Sequence, residues 1–371
     1  MSSDCPYLDW PNDEGYFRDF FKRAEAARVP LNGSLELTRR CNLHCVHCYL
    51  GPQELVHKNA GQEMTTAQVL GILDQVAEAG CMSLLITGGD PLLRRDFPEI
   101  YRHAKLAGLD VTVFTNGTPI TDKHIALFQE YPPRMVEITL YGATADTYER
   151  ITGVSGSYKL CLTGIGKLHD GGIRLGLKTM LMTLNHHEFG AMKSLADDFG
   201  AKFRSDPVLN ARLDGGREPL GLRMRPVEAI RLEFSIPQRR QQWIDFRRRY
   251  PRISSLKKLV ECGAGKTVFH IDAYGNLQPC LMLPKFSHSL LTESFAAGWS
   301  RMTQMREIEV RADNRCASCQ LRVYCGYCPG LLEFENGDPE IPVDYLCELG
   351  AERLRAITSY LEGEDYGTDP D

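Results

Sequence analysis

The 371 residues include 43 Lys and Arg against 48 Asp and Glu, a net charge of −5, with 43% hydrophobic and 25% charged residues. These are the proportions of a folded globular chain, and they exclude a nucleic-acid binder built on a global positive field. No basic and apolar leader opens the chain and no run of about 18 apolar residues interrupts it. A cytoplasmic protein with no membrane or nucleic-acid partner is therefore expected. Its thirteen cysteines then point to metal or redox chemistry rather than to disulfides.

A short amphipathic helix is predicted over residues 14–27, ahead of Val29 and Pro30. Strand-like runs follow at 34–38, 83–87, 110–115, 135–140, 174–181 and 201–204, rich in apolar or β-branched residues. Helical patterns alternate with them at 66–79, where Thr65 is a plausible N-cap, and at 97–107, 122–131, 158–169 and 188–199. Gly80, Gly108 and Gly200 fall just past three of these helices, where a left-handed cap belongs. The alternation predicts an α/β fold with six parallel strands, an open version of the eight-stranded β/α barrel, with its site at the strands' C-terminal ends. Between Arg204 and Lys258 the chain holds fourteen Lys and Arg against six Asp and Glu. That stretch reads as a solvated helix face or as a docking surface for an acidic peptide or protein; aromatic residues are too sparse there for RNA stacking. Residues 362–371 are acidic with Gly and Pro and are expected to be disordered.

Cys41, Cys45 and Cys48 follow the first strand with the spacing C-x3-C-x2-C. An iron–sulfur cluster held by three thiolates keeps one iron open, whereas a zinc knuckle or structural thiol cluster is the alternative on spacing alone. Gly88-Gly89-Asp90-Pro91-Leu92 ends the second strand and in isolation is a Gly-rich strand-to-helix turn. Asn116 ends the third strand, Thr139-Leu140-Tyr141-Gly142 the fourth, and Arg204 and Asp206 the sixth, where a salt-bridged rim competes with an anion site. Lys178, Thr183 and Asn185 belong to the fifth strand and its exit, with Asn185 a plausible cap for the next helix. A second cysteine field comprises Cys262, Cys280 after Gly275, then Cys316-x2-Cys319-x5-Cys325-x2-Cys328, and Cys347. Gly265-Lys266-Thr267 lacks the upstream glycine of a phosphate loop. Cys5, Cys81 and Cys161 remain as ordinary free cysteines.

Taken together these residues resemble the radical S-adenosylmethionine (SAM) superfamily with a C-terminal SPASM extension. The resemblance implies a partial (β/α)6 TIM-like barrel and a small Cys-rich iron–sulfur domain. It divides the chain into an N-terminal helix and extension (1–30), the barrel (31–225), a basic helical bridge (226–255), the SPASM region (256–350) and a helix end with acidic tail (351–371). Cys41, Cys45 and Cys48 would hold a [4Fe–4S] cluster whose open iron chelates SAM, and an electron from it splits SAM into methionine and a 5′-deoxyadenosyl radical. Gly88, Gly89 and Asp90 look like the Gly-Gly-Glu-Pro motif that receives SAM's ammonium, with Asp90 in place of the commoner Glu. Thr139 keeps the hydroxyl of a Ser-Leu-Asp-Gly motif near the ribose, whereas Tyr141 departs from its Asp. Asn116 joins this cofactor set, and Arg204 would meet SAM's carboxylate. His47 stands where the family prefers an aromatic beside the adenine.

By the same resemblance, Cys262, Cys280 and Cys328 would hold one auxiliary iron–sulfur cluster with an open or non-Cys fourth position. Cys316, Cys319, Cys325 and Cys347 would hold a second, complete one. The layout resembles the branch of the pyrroloquinoline quinone precursor-peptide cyclase. The expected enzyme is then an oxidoreductase-type maturase of a ribosomally made peptide or protein, with flavodoxin or ferredoxin as electron donor. The chain is too short at its N-terminus for a built-in peptide-binding module, so a separate small one is expected. Porphyrin side-chain tailoring in haem d1 or alternative haem synthesis is the second reading. A non-catalytic iron–sulfur or zinc protein is the third, and Gly88–Asp90 and Thr139 argue against it. Arg212, Asp214 and Tyr141 are the residues expected to face substrate, and no catalytic acid or base is assigned.

Overall fold

A computed structural model describes residues 14–58, 60–363 and 366. Six strands alternate with helices: β1 (Asn32–Thr38), β2 (Ser83–Gly88), β3 (Asp110–Thr115), β4 (Met135–Thr139), β5 (Leu175–Met180) and β6 (Lys202–Asp206). They lie side by side in chain order, every pair parallel. Parallel crossovers are right-handed, so strands laid down in one direction put every helix on one face and leave the other as the inside of an open barrel. The period-two pattern shows this directly: in β3 Val111 and Val113 are buried against the helices, while Thr112 and Phe114 turn inward.

The helices begin and end where local chemistry directs. Thr65 and Gln68 form a capping box at the start of Thr66–Glu78, and Gly80 takes φ +90° just after it. Each expected helix is present within about two residues of its predicted ends. The sixth strand runs on to Asp206, because its pairing with β5 continues through Ser205 and Asp206.

The Cys-rich region does not hang from the end of the barrel. Val268–Ile271 forms β7 and pairs in parallel with β1, from Asn32↔Val268 to Leu35↔Ile271. β8 (Asn276–Gln278) and β9 (His288–Ser289) extend that edge antiparallel, giving one nine-stranded sheet. Packing explains the docking. The Phe269 ring stacks edge-on against Phe295 at 5.0 Å between centroids, and Gly33 of β1 makes room for it, since a Cβ there would sit 2.2 Å from the ring. The Arg-rich bridge is two helices, Pro226–Ser235 and Pro237–Arg249, the second with no buried residue. Helix Asp344–Glu362 packs against both. Among the described residues no helix is long and apolar enough to cross a membrane. Cys5 and most of the expected acidic tail lie outside the described residues.

Candidate active site

The loop after β1 carries three thiols and is fastened on several sides. Cys41 N donates to Gln53 Oε1 at 2.7 Å, His44 N to Thr152 O at 2.8 Å, and Val46 N to Ile151 O at 3.0 Å. Leu213 N reaches Tyr49 O at 2.8 Å, tying the loop to the segment that follows β6. Cys41, Cys45 and Cys48 all face one cavity of about 420 Å³. Burial pushes the Cys41 thiol up to about 12, with the Asp90 and Cys48 charges adding to it. Cys45 is raised further by burial and then by Cys48 and Cys41, although the Tyr141 hydroxyl bonds its sulfur. Thiols withdrawn from water onto one cavity ionise readily only beside a strong positive charge, which a bound metal would supply.

Backbone packs tightly beside this loop. A Cβ on Gly88 (φ +132°) would lie 2.0 Å from Thr38 O, and one on Gly89 2.3 Å from Arg40 O. Only glycine lets the end of β2 run this close to the strand that leads into Cys41. Gly88, Gly89, Asn116 and Thr139 line the cavity with the three thiols. Asn116 Nδ2 points at Cys41 Sγ (3.6 Å) and donates to Asn42 Oδ1 at 2.9 Å.

Asp90 corrects an expectation, because it does not face the cavity. Its carboxylate is fully buried and accepts from Leu92 N (3.0 Å), Thr115 Oγ1 (2.8 Å) and Asn116 N (2.9 Å). It braces the ends of β2 and β3 and caps the turn at Pro91–Leu93. Asn185 is corrected too. It makes no cap for a helix; fully buried, it donates to Tyr141 O and Met180 O and accepts from Met182 N. Arg212 and Asp214 pair with each other at 3.1 Å in a turn closed by Gly216 N on Asp214. The cavity wall there is Leu209, Asn210, Ala211 and Leu213 instead. Thr183 donates its N–H to Leu222 O, away from the cavity.

Arg204 lines the cavity, but its guanidinium is engaged by Glu137, with Nε 2.9 and 3.0 Å from the two carboxylate oxygens. The sequence reading missed Glu137. Its signal was a lone charge in the otherwise buried strand Met135–Thr139. Lys178, noted but given no role, lines the same wall, as do Ser34 and His270. Tyr141 and His47 also face the cavity, their rings 4.9 Å apart edge to face. A second pocket of about 450 Å³ between Arg40, Glu63 and Arg94–Asp96 is lined by no cysteine.

The C-terminal thiols fall into two sets. Burial holds Cys280 up at about 12, and Cys328 and Cys262 act on it through their charge; Cys262 acts likewise on Cys328. Separately, Cys325 is held near 12 by burial and by Cys347, Cys316 and Cys319, and Cys316 and Cys347 are raised by burial and their neighbours in this set. Leu281 and Met282, directly after Cys280, form part of the cavity wall.

Residues 35–197 match the radical SAM superfamily. The chain carries a radical SAM domain. Its relatives include the AdoMet-dependent heme synthase of Methanosarcina barkeri (strain Fusaro / DSM 804), 25% identical over 82% of this chain and 92% of that protein. The mycofactocin maturase MftC of Mycobacterium ulcerans (strain Agy99) is 27% identical over 78% of this chain and 80% of its own length. The crystal structure of Streptococcus suis SuiB bound to precursor peptide SuiA superposes with a TM-score of 0.67 at 16% identity, covering 93% of this chain and 82% of that one. The radical SAM domain of residues 35–197 implies, by its family, a [4Fe–4S] cluster and SAM. The residues present fit both in kind: Cys41, Cys45 and Cys48 line one cavity with the backbone of Gly88 and Gly89 and the polar groups of Asn116 and Thr139.

Proposed function

We propose that this radical SAM enzyme abstracts hydrogen from a residue of a ribosomally made peptide or a protein and so installs a crosslink, an epimerised centre or an oxidised side chain. The match to the mycofactocin maturase MftC over 78% of this chain and 80% of that one supports this reading. The cavity of about 420 Å³ beside the three thiols, a usual size for a ligand pocket, is where the reacting group would meet SAM. When bound at Cys41, Cys45 and Cys48, the cluster supplies the electron that turns SAM into a hydrogen-abstracting species.

The chain's own residues do the rest. Gly88 and Gly89 offer backbone to SAM's methionine end, held in place by Asp90 from behind. Thr139 presents a hydroxyl, Asn116 holds the loop at Cys41, and His47 and Tyr141 wall the cavity with their rings. Cys262, Cys280 and Cys328, joined to the wall through Leu281 and Met282, are proposed to hold one auxiliary iron–sulfur cluster. Cys316, Cys319, Cys325 and Cys347 are proposed to hold another, and both would carry electrons between the cavity and an external carrier such as flavodoxin or ferredoxin. The exposed Arg248, Arg249 and Arg252 at the end of the basic helix are proposed to receive a peptide-binding partner or an acidic leader.

A second reading has its own support: the match to the heme synthase extends over 92% of that protein. Anaerobic reconstitution with reductant and SAM tests the common core, since 5′-deoxyadenosine must form, and its absence with or without substrate ends the enzyme reading. Iron near twelve atoms per chain, about four for each of three clusters, supports the auxiliary assignment, whereas about two zinc ions would refute it. A short open reading frame beside a small peptide-binding protein in the gene's neighbourhood favours the peptide; haem biosynthetic neighbours favour the macrocycle.

A further inference from the structure

Inside the barrel, away from the thiols, two cations share one carboxylate. Arg204 takes Glu137 side-on, donating from both Nε and Nη2. Lys178, the β5 neighbour of both strands, is left with its Nζ 3.5 Å from Glu137 Oε1. That is long for a hydrogen bond to an ammonium, which has three donors to place. The other side of Nζ lies 3.1 Å from the centroid of the Phe114 ring, a favourable seat for a cation but not a hydrogen-bond acceptor of comparable strength. Asp206, further along β6, accepts from Val208 N at 2.8 Å and acts on Arg204 only through its charge. Lys178 and Arg204 thus stand side by side on the cavity wall with Glu137 as their one shared ion-pair partner. Lys178 is half-buried and Arg204 more exposed, so both remain open to an anion entering the cavity, and a charge-assisted hydrogen bond there is stronger than one in bulk water.

We propose that Lys178, with Arg204 beside it, takes a carboxylate of the substrate at this end of the cavity. The inference rests on the reading above that the cavity holds SAM and substrate together, and it adds the substrate's chemical class. The carboxylate belongs to an Asp or Glu side chain or chain terminus of a peptide, or to an acid side arm of a tetrapyrrole; the chemistry recognised is the same. The environment agrees. Burial pushes the Lys178 amine down to about 7 against the upward pull of Glu137, so an incoming anion would fix it in the charged form.

The test uses the anaerobically reconstituted protein with SAM and two pairs of fluorescent probes. One pair is a labelled nonapeptide with a central Glu and its Gln twin; the other is coproporphyrin III and its tetra-amide. The wild type is expected to prefer the acid member of one pair by at least about tenfold, the scale of one charge-assisted hydrogen bond; which pair responds identifies the source. Lys178→Met should abolish that preference, whereas Glu137→Gln, which removes the internal competitor, should keep or sharpen it. A merely structural role would weaken binding in both variants alike. SAM affinity, measured by equilibrium dialysis on the same samples, should stay within about twofold of wild type, which separates failure of this inference from failure of the SAM site. The proposal is overturned if neither pair shows an acid preference, if both variants weaken the probes equally, or if Lys178→Met weakens SAM instead.

Discussion

Replacing Asp90 by alanine should cost the protein much of its stability without touching the cavity surface. The carboxylate is fully buried and closes three hydrogen bonds, from Leu92 N, Thr115 Oγ1 and Asn116 N. Truncation strands two backbone N–H groups in a site closed to water. The threonine hydroxyl can rotate away to another acceptor. Each stranded donor costs about 1–3 kcal/mol, so the loss should be about 2–6 kcal/mol, a large part of the ~5–15 kcal/mol that holds a domain folded. Asp90→Asn keeps the shape and one acceptor oxygen, and should fall between wild type and alanine. Urea denaturation of the cluster-free proteins, followed by circular dichroism, reads both. A loss under about 1 kcal/mol for Asp90→Ala, or asparagine worse than alanine, would refute the view that this residue is a brace.

Gly89→Ala should destabilise by about 1–3 kcal/mol and lower iron loading, because its Cβ would meet Arg40 O at 2.3 Å; unchanged iron content would contradict this. Arg223→Met should cost about 3–5 kcal/mol by leaving Glu335 buried and unpaired, and combining it with Glu335→Leu should recover part of that in thermal unfolding. His270 is held down near 4 by burial, opposed by Asp272 and assisted by Arg39. Its folded value lies below the unfolded one near 6.5, so the unfolded chain binds the proton and stability falls as pH drops from about 6.5 towards 4, by up to about 3 kcal/mol. His270→Gln should flatten the pH dependence of the denaturation midpoint in that window, and an unchanged slope would count against the assignment.

Most of the barrel strands were legible because they are short apolar runs followed, after a turn or loop, by a helix, as before the capped helix Thr66–Glu78. β6, Lys202–Asp206, is charged and leads into no α-helix until Pro226. β7 to β9 were not legible. They are two to four residues long, and Val268–Ile271 is a strand only because β1 offers it an edge and Gly33 a slot for Phe269. The thiol loop and the Gly88-Gly89 turn were readable from spacing. Side-chain direction was not: Asp90 sits one residue past a cavity-lining glycine and points the other way, and Asn185 turned inward as a brace rather than capping outward. Arg204 was readable as a charge at a strand end, but its partner Glu137 lies on a different strand, a pairing that only the β4–β5–β6 register brings about.

The pairing of β7 with β1 also constrains how the protein is made. A ribosome that has just completed β6 has released six strands and the first three thiols, yet the outer edge of β1 is still bare. Its cover, Val268–Ile271, is encoded far downstream, so the nascent chain presents an open strand edge of the kind that invites pairing with another chain. A fragment ending after the barrel would keep that edge permanently. The two cysteine fields are thus bound into one unit of biosynthesis, the wall behind the first being finished only when the second has been translated.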